Sequence, residues 1–228
     1  MAIIQSFHQF EIRFTPILNF HILSRTIIAP YLTRTSSVNI ENENLIKQRI
    51  TLIFDSEGFN ISLFWDRIIF QTSSNLKNLA ESNSIVEEPF FSIFKKITSL
   101  DEFGNILNCL FNIVTINVNA DYKLENFKKV FLKDDLNEIL PYKDVAITLN
   151  EIVNNNVTEV SFGPYVGIED LTNRKIKYSL IHEEELRTAG GVFSDLKIVD
   201  EVDSVDFKTY QGFAEKANIV LTRIWKRM

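Results

Sequence analysis

The stretch RITLIFDSEGFNISLFWDRIIFQT, Arg49 to Thr72, leaves little freedom in how this chain can fold. Ile50, Leu52 and Phe54 alternate with Thr51 and Ile53, a period of two that belongs to a strand with one face on a core. Asp55-Ser56-Glu57-Gly58 then supplies turn chemistry: an aspartate bonds its own downstream backbone, and glycine accepts positive φ. Phe59, Ile61, Leu63 and Trp65 form a second apolar row, opposite Asn60 and Ser62. Asp66 and Arg67 are polar punctuation, after which Ile68 and Phe70 begin a third row. Three linked alternating segments predict an antiparallel meander.

The flanking segments extend this pattern. Ile4 to Phe14 reads as a strand, with Phe10, Ile12 and Phe14 on one face and Gln9, Glu11 and Arg13 on the other, ended by Pro16. Phe20 to Leu32 reads equally as helix or strand, although Pro30 argues against a helix running through it. Thr33 to Asn44 is polar and is expected as an exposed loop or arm. Pro89, after Glu87 and Glu88, suits the first turn of a helix, and Phe90, Ile93, Phe94 and Ile97 follow at helical spacing. Asp101 to Phe111 is expected as a second helix or a kinked continuation.

From Ile113 the pattern is again strand-like, with Val114, Ile116 and Val118 alternating against polar neighbours. Lys123 to Leu140 is expected as a helix stopped by Pro141. Val145–Leu149, Val157–Phe162, Arg174–His182 and Val192–Val202 are expected as strands. Phe207–Met228 is an amphipathic helix with Tyr210, Phe213, Ala217, Val220 and Ile224 in its stripe. The resulting expectation is an α+β protein of two antiparallel β-rich halves with packed helices. The halves are 1–112, the meander plus a helix, and 113–228, β-rich with a terminal amphipathic helix.

Composition narrows the function classes. The net charge of −6 argues against non-specific binding to nucleic acid or to an anionic membrane. No run approaches the ~20 apolar residues that a spanning helix needs, and MAIIQSFHQFEIRF does not resemble a secretory leader. Cys109 is the one cysteine, which fits a reducing compartment, so a cytoplasmic protein is expected. The 19 phenylalanines exceed what the core of a monomer this size needs, and the Ile4–Phe14 strand carries little to discourage edge pairing. Both features point to an interface, through self-association or with another protein.

The series Asp55, Gly58, Asp66, Arg67 and Phe70, set in strand, turn, strand and a "DR-hydrophobic-F" strand, resembles a sporadically distributed, uncharacterised bacterial protein family. The likeness covers 49–97 and, more loosely, 157–228, where LKIVDEVD and a helix are similar to that family's closing elements. Asp55-Ser56-Glu57-Gly58 departs from the tighter turn usual there. The resemblance implies a fold and no reaction, in a setting of bacterial antiviral defence or mobile elements.

Four groups of residues are candidate sites. Phe162, Gly163, Pro164, Tyr165 and Gly167 have the composition of a recognition loop at an interface, or of a strand end with a rigid turn. His182, Glu184, Asp200 and Asp203, within the acidic 182–206 stretch, could gather a divalent metal, although solvated strand ends explain them more simply. Thr188-Ala189-Gly190-Gly191 is expected as a hairpin turn, since it lacks the lysine of a phosphate loop. Cys109 sits in an apolar run that suits a buried, inert thiol. The leading expectation is a non-enzymatic, cytosolic protein-binding or regulatory module needing no cofactor. The alternatives are a metal-dependent hydrolase or nuclease using the acidic residues, and a nucleic-acid sensor using Trp225, Lys226 and Arg227.

Overall fold

The computed structural model describes residues 2–118, 124–132, 145–154, 156–178, 183–188 and 190–227. Among the described residues there are nine strands: β1 Ala2–Phe14, β2 Ser37–Glu41, β3 Arg49–Phe54, β4 Phe59–Leu63, β5 Arg67–Thr72, β6 Ile106–Val118, β7 Ile147–Val153, β8 Asn156–Val166 and β9 Gly190–Asp200. They form an antiparallel sheet in the order β2-β3-β4-β5-β1-β6-β9-β8-β7. The helices are α1 Phe20–Ile28, α2 Leu76–Leu79, α3 Ser92–Thr98, α4 Leu124–Phe131, α5 Gly167–Asn173, α6 Glu183–Thr188 and α7 Phe207–Trp225. The fold is therefore α+β with an antiparallel sheet.

The chain forms two compact units, each built from separate segments: Met1–Phe7, Asn112–Lys197 and Glu215–Met228 in one, His8–Phe111 and Ile198–Ala214 in the other. In the His8–Phe111 unit the meander is as expected. Phe54 pairs with Phe59 and their rings stack 4.3 Å apart. Between them Asp55–Glu57 makes one tight helical turn closed by Gly58 at φ +70, where a side chain would be strained. The apolar row of each strand enters one core with Phe10, Ile12 and Phe14 of β1. The helix side of that core is aromatic: Phe10 meets Phe90, Phe91, Phe111, Tyr210 and Phe213 at centroid distances of 5.2–6.4 Å. Ring edges on ring faces at such distances add attraction beyond burial alone.

In the other unit, helices lie on both faces of the sheet. Phe162 and Tyr165 are an odd number of residues apart on β8 and so point to opposite sides. Phe162 packs on Phe127 and Phe131 of α4. Tyr165 joins Val114, Ile116 and Phe193 beneath Leu171 of α5, Leu186 of α6 and Ile176. Gly191 lets β9 close on β6, since a Cβ there would stand 1.8 Å from the carbonyl oxygen of Asn117.

Several expectations are corrected. Residues 106–111 are strand and not helix, because a short apolar run has no periodicity of its own to decide between them. Burial alternates there once the strand is paired, with Cys109 and Phe111 inside and Leu107 exposed. The Thr33–Asn44 stretch contains β2, a polar strand that pairs only because β3 offers it an edge. Residues 174–178 follow α5 and are not strand, and α6 occupies the place of the expected hairpin partner of β9. Residues 179–182 and 133–144, with Pro141, lie outside the described residues. The Ile4–Phe14 strand is interior, between β5 and β1's other neighbour β6, and is not an edge. Nor is there an exposed aromatic patch: no phenylalanine, tyrosine or tryptophan among the described residues is exposed.

Two measurements test this core. Phe213 is 5% exposed and stacks on Phe111 at 5.9 Å, so Phe213→Ala should cost about 3–5 kcal/mol in a urea titration. Burial also raises the phenols of Tyr210 and Tyr165, the latter helped by the Glu185 carboxylate. A raised folded-state pKa favours the neutral phenol in the fold. The stabilisation is complete below the ordinary value of about 10 and is lost as pH climbs past it. Phenolate absorbance should show these two tyrosines ionising only with unfolding, whereas all six should titrate together in denaturant.

Candidate functional site

The register of the meander turns its outward residues into an ordered surface. Opposite partners across β1, β5, β4, β3 and β2 fall into rows. One row is Gln9, Gln71, Asn60, Ile53 and Ser37, and the next is Glu11, Ile69, Ser62, Thr51 and Asn39. Beyond these, Arg13 stands opposite Arg67 and Arg49 opposite Glu41, with Phe64 following Leu63 out of β4 and bonded through its N–H to the Arg67 carbonyl. Because side chains alternate along a strand, all of these share the face opposite the aromatic core. No helix of the described residues covers it: apart from the buried Glu11 and Ser62, its central residues are half-buried.

Two arginines facing each other across paired strands repel, and like charges so placed destabilise a sheet. Glu11 removes that cost. Its side chain is only 4% exposed and lies 2.5 Å from Arg13 Nε and 3.4 Å from Arg67 Nη1. Gln9 Nε2 donates to its other oxygen at 3.1 Å, and Gln71 Nε2 donates to Gln9 Oε1 at 2.9 Å. Asp66 grips Arg67 through two bonds, Nε to Oδ1 at 3.0 Å and Nη2 to Oδ2 at 3.1 Å. That hydrogen bonding to Asp66, opposed by partial burial, pushes the guanidinium further above its usual value.

Phe64 lies between two cations, with the Arg49 and Arg67 guanidinium carbons 5.4 and 5.5 Å from its ring centroid. Arg49 also donates to Glu41 and Ser62, both at 3.4 Å. Its Nε and the Oδ1 of Asn60 are shielded from solvent and have no hydrogen-bond partner among the described residues. Here, then, are three fixed guanidinium groups, 32–44% exposed, beside amide and hydroxyl side chains. Such a surface can bind carboxylates through planar, forked donors.

The residues singled out from the sequence lie elsewhere. Phe162, Gly163, Pro164 and Tyr165 are buried in β8 and do not form an exposed loop, because the apolar pair alternates into helix-covered faces. Gly167 opens α5 at φ +72. Glu184 is in α6, Asp200 ends β9 and Asp203 lies in the turn before α7, while His182 lies outside the described residues. Among the described residues, no three or more His, Cys, Asp or Glu gather as a metal site. Cys109 is buried, and burial followed by the Asp200 charge pushes its thiol far up. Lys226 and Arg227 are exposed just beyond α7. Sequence reading gave Arg49, Phe64 and Arg67 no place in a binding site, although the same alternation that marked the core marks this face.

Glu11→Gln keeps the side chain's shape and removes the charge that separates Arg13 from Arg67. It should lower unfolding stability by about 1.5–3 kcal/mol, the range for hydrogen bonds to charged groups. The loss, measured by urea denaturation, should shrink in high salt, which screens the exposed arginine repulsion. Compared with known proteins, the chain matches no family model, and no curated protein matches it.

Proposed function

We propose that this protein is a non-enzymatic binding module that holds another protein through the open meander face. The observation that carries the reading is the arginine row, Arg13, Arg67 and Arg49 with Phe64, fixed before any partner arrives. Glu11, Asp66 and Glu41 hold these long side chains in place, so little rotamer entropy is left to lose on binding. A polypeptide segment bearing aspartate or glutamate offers carboxylates to these partly exposed guanidinium groups.

Nucleic acid suits this face less well. Stacking of bases needs an open aromatic ring, and Phe64 is already flanked by two guanidinium groups. The net charge of −6 also opposes a polyanion. The one cysteine supports the non-enzymatic reading, since a thiol raised by burial is a weak nucleophile.

The test is affinity purification at native expression of wild type and of the double variant Arg13→Ala, Arg49→Ala. Mass spectrometry and nucleic-acid staining identify what co-purifies, with thermal melting as the control for folding. A protein that binds wild type and is depleted at least about tenfold from a folded double variant is the expected result, each lost charged hydrogen bond being worth about that much. Equal recovery by both proteins, or nucleic acid as the retained species, would overturn the reading.

A further inference from the structure

We infer that the outer edge of β7 pairs antiparallel with β7 of a second copy of this chain. This surface belongs to the unit containing Asn112–Lys197 and is independent of the meander face. β7 ends the sheet, and among the described residues no strand pairs with its outer side. Its inner side is fully used, with Ile147 through Val153 in register with Phe162 through Asn156 of β8. An end strand presents alternate N–H and C=O groups outward, a template for one more strand.

Natural end strands are usually short, charged, kinked or interrupted by proline. β2, at the opposite end, fits that description in part: five residues, with Glu41 engaged by Arg49. β7 does not. Its sequence, ITLNEIV, has seven residues, no proline, no lysine and one charge. Leu149, Ile152 and Val153 are 55%, 72% and 55% exposed, although β-branched and aliphatic side chains are what sheets usually bury.

The occupant follows from self-complementarity. In an antiparallel pair on a two-fold axis through Asn150, Ile147 faces Val153, Thr148 faces Ile152 and Leu149 faces Glu151 of the other copy. The two Asn150 amides meet on the axis, where each can donate to the other. Neither Glu151 faces its counterpart, so no like charges oppose. Ile147, Leu149, Glu151 and Val153 share one face, and at each end of that row Ile147 of one copy meets Val153 of the other. A contact of one strand is small, so the dimer is a weak one, with Kd on the order of 10 µM.

The experiment measures the mass of the full chain by size exclusion with light scattering from about 1 to 100 µM, a range that brackets this Kd. Wild type should rise from 26.4 kDa towards twice that value. Asn150→Lys puts two ammonium groups opposite each other on the axis and should weaken the dimer at least about tenfold. Leu149→Lys puts an ammonium opposite Glu151 of the partner and should leave the dimer as strong or stronger. Both positions are exposed, and unchanged circular dichroism and melting would confirm that the variants fold. Wild type remaining at single-chain mass throughout, an intact dimer in Asn150→Lys, or equal loss in Leu149→Lys would each overturn the inference.

Discussion

Phe10 is where the largest unit of this protein is tied together. It is fully buried at the middle of β1, and its ring meets rings carried by β6, by the turn before α3 and by the first half of α7. These elements are remote in sequence, so their docking has to repay a large loss of chain entropy. Aromatic side chains suit that task because each removes much apolar area from water while having few rotatable bonds. His8, one pleat along, continues the same face: its Nε2 lies 3.0 Å from the Tyr210 hydroxyl, with both side chains buried. A polar pair enters the core here without leaving these two atoms unsatisfied.

That concentration of apolar contact on one side of the meander has a consequence for the other side. A strand that commits Phe10, Ile12 and Phe14 inward must send Gln9, Glu11 and Arg13 outward. Once β5, β4, β3 and β2 are in register, their outward residues are aligned whether or not they suit one another. Arg13 opposite Arg67 is a pairing that would not form alone; Glu11 makes it tolerable and in doing so fixes both guanidinium groups. The core therefore creates the arrangement of the polar face, and the carboxylate of Glu11 turns it into a rigid one. Side chains held in this way have little rotamer freedom left to lose on meeting an anion.

The unit containing Asn112–Lys197 solves a different problem. Helices on both of its faces leave Phe162 to Tyr165 of β8 buried on each side, which explains why Phe162, Pro164 and Tyr165 are interior. Some polar atoms are buried there without a hydrogen-bond partner, namely the Thr115 and Ser194 hydroxyls, the Asn117 amide and the Tyr165 hydroxyl. Each such group costs stability. At the edge of the sheet β7 displays exposed aliphatic side chains, Leu149, Ile152 and Val153.

The meander, the opening strand and the terminal helix could be read from sequence because their signals are local: a period of two or 3.6 follows from the geometry of one segment. Gly58 was legible for the same reason, as a turn residue with its own conformational demand. What the tertiary structure alone decided was pairing. Residues 106–111 became strand because β1 lay beside them, and polar Ser37–Glu41 became strand because β3 offered an edge. The Phe162–Tyr165 segment has the composition of a loop, yet long-range packing buried it. The candidate site is the plainest case. Glu11, Arg13, Arg49, Phe64 and Arg67 are unremarkable in their own segments, and register brings them together, since register is set by burial of the opposite face and leaves no trace in any single stretch of sequence.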